Sequence, residues 1–259
     1  MVNRFAFQSD AVSLSEWTDL IKKWPDRVME SYNIAPTSPI SVYTATGWRT
    51  MRWSFVPKWS KHLRPKYSMH NVRASSVDTK PAFRPAWRNG QRCLIPAIGY
   101  YIWKMKVAES MFKKLVPAKE MAEKLRRNSV EIPYFVRSAY EHEPMVFAGI
   151  WERWRDAAGE TALTCAMLTR SSETPLSEVS RRQPVIIPAA MAERWLFGSI
   201  EDVSRLISEP TAVDLCYYRV ETAINSFAAR GPQLLEPIDV DKIQFVPRTG
   251  AIGELMATG

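Results

Sequence analysis

The side chains able to do covalent or metal chemistry are few and scattered. Three histidines, His62, His70 and His142, share no ligand spacing, and three cysteines, Cys93, Cys165 and Cys216, lie far apart among apolar residues. An odd number of widely spaced thiols specifies neither a disulfide framework nor a zinc site, so reduced, buried thiols and no metal or other cofactor are expected. Glycine-rich phosphate loops, HExxH and the GxSxG elbow are missing from the sequence. The chain offers instead a basic, aromatic chemistry. It carries 35 Lys+Arg against 27 Asp+Glu, a formal net charge of +8, and 10 tryptophans. Residues 57–65, PKWSKHLRP, interleave the two types directly. Cations neutralise phosphates and aromatic faces stack bases, so a nucleic-acid partner is expected, with core packing as the competing role for most of the tryptophans.

These residues need a scaffold, and the periodicities indicate its parts. Residues 13–24 read as a helix: Ser13 and Glu16 form a capping box, Leu14, Trp17, Leu20 and Ile21 share a face, and Pro25 ends it. Residues 32–36, YNIAP, read as a loop. Short strands are predicted at 40–44, 50–55, 91–95, 100–105, 134–137, 145–154, 161–169 and 215–220, with a hairpin turn over 156–160. Helices are predicted at 189–197 and 200–207. Strands dominate the middle without strict βαβ alternation. The fold class expected is therefore α+β: a single domain with a largely antiparallel, barrel-like sheet core flanked by helices.

The domain is expected to span residues 1–240, with a basic helical insertion at about 106–129 broken by Pro117 and a loosely held tail at 241–259. No linker, repeat or low-complexity tract divides the chain. The opening MVNRFAFQSD has no apolar h-region, and no stretch reaches the roughly 18 apolar residues of a membrane span. A cytoplasmic protein without membrane contact is the expectation.

Several segments together resemble the SRAP family, whose members shield abasic sites in DNA. MVNRF resembles the family's MCGRF, YNIAPT its YNVAPT-like loop, WSFVPKWSK its WGLVPSWAK, and NVRASS its NARAET. KPAFRPAW and RCLIPAIGYYIWK resemble KPSFRDAW and RCLVPADGFYEWK, FAGIWERW is nearly identical to family text, and SRRQPVIIP resembles HDRMPVILP. INSFAARGPQLLEPI resembles the closing segment, so the blocks run in family order to about residue 238. The resemblance implies an N-terminal cysteine, exposed by removal of methionine. Its amine forms an imine with the abasic aldehyde and its thiol closes a thiazolidine. A glutamate, a histidine and an asparagine assist, and a peptidase-like self-processing step is implied as well.

This chain departs from that pattern where the chemistry would be. The cysteine position holds Val2, the glutamate position Ile102, the histidine position Ser180 and the NARxET glutamate position Ser75, and Ile98 replaces the aspartate of the PADGF text. Only the asparagine remains, as Asn71. Valine has no nucleophilic atom and isoleucine carries no proton. The DNA-holding set implied by the resemblance is retained: Arg4, Asn33, Pro36, Trp53, Trp59, Asn71, Arg73 and Arg182, with core packing favoured for Trp53. Three readings follow: non-covalent binding of single-stranded or abasic DNA, with the family chemistry lost; residual imine chemistry from a Val2 amine; and an apolar ligand or protein pocket formed around Val2, Ile98 and Ile102.

Overall fold

A computed structural model describes residues 2–10, 25–64, 67, 69–107, 129–140, 143, 145–210 and 213–248. The helix expected at 13–24, His142, most of the 106–129 insertion and the tail beyond 248 lie outside the described residues.

Two sheets make the frame. Strands β1 (Arg4–Phe7), β2 (Ser31–Ile34), β7 (Gly99–Val107), β8 (Ser129–Ser138), β12 (Leu215–Arg219) and β13 (Gln244–Val246) form one, in the order β13-β12-β8-β7-β1-β2. The other contains β3 (Pro39–Thr44), β4 (Gly47–Trp53), β6 (Arg92–Ala97), β9 (Met145–Arg155) and β10 (Thr161–Ser171). These run β10-β4-β3-β6-β9, and a further β10–β9 pairing closes the ring into a five-stranded barrel. Two short strands, β5 (Asn71–Arg73) and β11 (Arg182–Pro184), pair with β10. Pairing is antiparallel except where β10 meets β4 and β5. The expected α+β architecture is the one observed.

The period of two explains how the barrel is filled. Cys93, Ile95, Phe147, Cys165 and Met167 face a core shared with β1 and β7, whereas Leu94, Ala148, Ile150, Ala166 and Leu168 alternate to the opposite side. There they pack under three short helices, α1 (Arg84–Arg88), α2 (Ala192–Phe197) and α3 (Ile200–Leu206), through Trp87 and Trp195. Trp53, Trp87 and Trp195 are fully buried, so much of the tryptophan content is core, each contributing roughly 1.5–3 kcal/mol or more by burial. All three cysteines are free and buried. The β9–β10 hairpin turns where expected, with Asp156 Oδ1 accepting the Glu160 amide at 2.8 Å and Gly159 at φ +92°.

One correction concerns the N-terminal sheet. Residues 31–34 form a strand rather than a loop, because β1 supplies a partner (Phe5 opposite Ile34) that outweighs the local turn signal. β1 in turn pairs with β7, Phe5 opposite Tyr100 and Arg4 opposite Tyr101. A Cβ on Gly99 would lie 2.3 Å from the Phe135 ring and 2.5 Å from the Val136 carbonyl oxygen, so the start of β7 requires glycine for this close approach. No helix among the described residues is long and apolar enough to cross a membrane.

Candidate functional site at the N-terminal strand

Val2 is completely buried and shares one apolar cluster with Ile102, Phe5 and Tyr100. Its backbone is held from the side by two consecutive residues. The Asn71 amide Nδ2 donates to the Val2 carbonyl at 2.6 Å. The His70 ring also meets the Val2 backbone, and its Nε2 lies 3.0 Å from Asn3 Oδ1. Residue 70 is fixed by its own backbone: its carbonyl accepts Trp53 Nε1 at 2.9 Å and the Met167 amide at 2.9 Å. The Trp53 ring meets the imidazole edge-on at 5.5 Å. Burial, with the N-terminal ammonium adding to it, pulls the His70 pKa down from 6.5 to about 4, so the ring is neutral at pH 7. Asn71 Oδ1 is buried and has no hydrogen-bond partner among the described residues.

Around this point the implied reactive posts hold side chains without thiol, imidazole or carboxylate. Ile102 lies at 0% exposure, and Ile98 is half-buried against the same cluster. Val2 and Ile102 fill that space with their own side chains. Ser180 is buried too, its Oγ donating to the Arg182 carbonyl at 2.9 Å.

The cationic residues divide into two kinds. Arg4 is almost buried: Nε donates to Asn33 Oδ1 at 3.0 Å, and the guanidinium lies 4.0 Å from the centre of the Phe227 ring. Burial lowers its pKa. Asn33 is buried as well, donating to the carbonyls of Ser226 and Ala229. Arg73 is exposed. Arg182 sits beside it, anchored through Nε and Nη2 to Thr169, with its pKa lowered first by burial and then by the Arg73 charge. Among the described residues neither forms an ion pair. Arg182 opens on a cleft of about 490 Å³ that also presents Ser75, Thr169, Ser171, Ser172 and Glu173. Two adjacent guanidinium groups with no ion pair among the described residues, beside hydroxyls, are a setting for an anion such as phosphate.

The aromatic residues divide similarly. Trp59 is 68% exposed, available for stacking. Trp53 is fully buried, its Nε1 donating to the His70 carbonyl. Pro36 is half-buried in a turn whose next residue, Thr37, adopts φ +79°, held by a 2.8 Å bond from its amide to the Trp53 carbonyl. A β-branched residue in this left-handed region is strained.

Sequence reasoning left three members of this arrangement without a role: Asn3, His70 and Phe227. Asn3 had a signal, since it stands where MCGRF has glycine, and His70 directly precedes the retained asparagine. Phe227, 68% exposed, had none until Arg4 was seen against it. No group of three His, Cys, Asp or Glu among the described residues could hold a metal ion.

The chain matches the family model described as SOS response associated peptidase (SRAP) over residues 1–227. It is 26% identical over 244 residues to the abasic site processing protein YoqW of Bacillus subtilis, covering 91% of this chain and 99% of that one. It is 24% identical over 248 residues to the abasic site processing protein HMCES of Rattus norvegicus, covering 88% and 69%. Among solved structures, a Bacteroides thetaiotaomicron protein superposes with a TM-score of 0.66 at 17% identity, covering 90% of this chain and 98% of that one.

Proposed function

This chain belongs to the SOS response associated peptidase (SRAP) family, and we propose that it binds single-stranded or abasic-site-containing DNA without forming the family's covalent end point. Its setting is the DNA damage response, as the names of its relatives suggest. A thiazolidine needs a thiol beside the α-amine, and Val2 has none. The single observation that carries this reading is that Val2 and Ile102, at the two posts where sulfur and carboxylate would stand, are both completely buried apolar side chains. Proton transfer by a positioned group contributes about 100- to 10,000-fold in rate, so their replacement removes both the bond and its assistance.

DNA holding is supported by the exposed Arg73, the adjacent Arg182 and the exposed Trp59. Arg4 and Asn33 support it indirectly, by fixing the segment that carries Phe227. The test is titration of a labelled single-stranded oligonucleotide at several salt concentrations. Saturable binding that weakens steeply with salt is expected, and its absence overturns the reading.

A further inference from the structure

The cleft beside Arg182 has an interior as well as a cationic rim. Its volume of about 490 Å³ falls within the range of small-ligand pockets, roughly 300–1,000 Å³. One wall comes from the end of β10 and the residues that follow β5. The other comes from Ser204 on α3, with Ile207 and Ser208 just beyond it. Val77, Trp87 and Ile207, all buried, supply apolar surface. The cleft lies apart from the N-terminal strand: Trp87 belongs to the cluster under the helices, Val2 to the core shared with β1 and β7.

Two residues lining this cleft carry a buried polar atom with no hydrogen-bond partner among the described residues: Nε1 of Trp87 and Oγ of Ser172. Trp87 is 1% exposed. Its indole N–H can only donate, and a buried donor left unmet is costly. Other tryptophans meet this demand inside the protein: Trp53, Trp103, Trp154 and Trp195 each donate Nε1 to an oxygen at 2.8–2.9 Å. Ser172 Oγ can donate or accept.

The charges around the cleft are largely matched. Arg170 pairs with Glu173 at 3.4 Å, and Asp78 with Arg88 at 3.4 Å. Arg182, beside Arg73, forms no ion pair among the described residues. The complementary ligand is therefore a flat ring with an acceptor and a donor side by side, joined to one anion. A nucleotide has this chemistry. Each base carries an acceptor next to a donor on its pairing edge, and a single strand leaves that edge free.

Resting on the DNA-binding reading above, we infer that this cleft is a nucleobase site, which takes one unpaired base of the bound strand. Trp87 Nε1 donates to the acceptor of the pairing edge, Ser172 Oγ meets the neighbouring donor, and Arg182 holds that nucleotide's phosphate. No covalent bond forms or breaks.

The test follows the Trp87 indole N–H by NMR in isotope-labelled protein, its resonance identified by its loss in Trp87→Phe. Thymidine monophosphate and inorganic phosphate are titrated separately. Saturable movement with the nucleotide and none with phosphate is expected. Ser172→Ala should weaken the nucleotide about fivefold, the scale of one hydrogen bond, while the resonance still moves. Trp87→Phe keeps a ring against Trp195 and should bind a thymidine single strand about five- to tenfold less tightly by anisotropy. If Trp87→Phe does not fold, Ser172→Ala decides, and an unchanged nucleotide affinity overturns the inference. A resonance that stays fixed with nucleotide overturns it as well, and so does equal movement with phosphate alone, which marks an anion site only. A nucleotide response without binding of any single strand overturns the DNA-binding reading instead.

Discussion

Asn71 reaches across from β5 to hold the carbonyl of Val2, its Nδ2 donating at 2.6 Å. The second residue of the chain is thereby tied to a strand pairing with the barrel, and the retained asparagine has a structural task whether or not a lesion is present. Asn71→Asp keeps the shape, removes the donor and sets a carboxylate against a carbonyl. We predict a loss of about 2 kcal/mol in stability, measured by chemical denaturation.

Arg4 and Arg73 should separate under mutation. Arg73 is exposed, so Arg73→Ala is expected to leave thermal stability nearly unchanged while weakening binding to all single strands and reducing the salt slope by about one. Arg4 is 7% exposed and holds Asn33 and the Phe227 ring. Arg4→Ala should cost about 1–2 kcal/mol of stability first, with any DNA effect following from the disturbed 226–229 segment. Paired melting and anisotropy curves for the two variants check this.

His70 gives stability a defined pH dependence. Its folded pKa of about 4 lies below the unfolded value of 6.5, so the unfolded chain takes up the proton first. The contribution is complete above pH 6.5 and declines as pH falls from 6.5 towards 4. Melting temperatures across that window should fall less steeply for His70→Phe than for the unaltered protein.

Thr37 carries a strained backbone at φ +79°. Asparagine tolerates this conformation better than a β-branched residue, so Thr37→Asn should stabilise the fold by about 1 kcal/mol, read as a raised melting temperature.

Much of the barrel was legible because its strands alternate strongly: 145–154 and 161–169 match β9 and β10 to within a residue or two. β1, β2 and β5 were not, since each is only three or four residues long and owes its form to a partner strand rather than to its own pattern. The reading of Val2, Ile102 and Ser180 as replacements for the implied cysteine, glutamate and histidine rests on motif resemblance, as identity alone decides whether sulfur or a carboxylate is present. The burial of Arg4 was not legible, because an arginine serves a buried network and a DNA face equally well. His70 was hidden for a related reason: its role depends on Asn3 and Val2, 67 and 68 positions away in the chain.

Restoring the missing atom offers a gain-of-function test. Val2→Cys, with removal of Met1 verified by mass, should form a heat-stable adduct with an abasic single strand. Adding Ile102→Glu should speed it by about 100-fold or more, provided the buried carboxylate does not unfold the protein.

The proposal that the N-terminus forms no covalent end point is tested most directly by intact mass spectrometry of the unaltered protein, with Met1 removed, after incubation with abasic single-stranded DNA and without any reductant. We predict only the mass of the unmodified chain. A stable species heavier by the oligonucleotide would show that Val2 has kept covalent chemistry and would contradict the account.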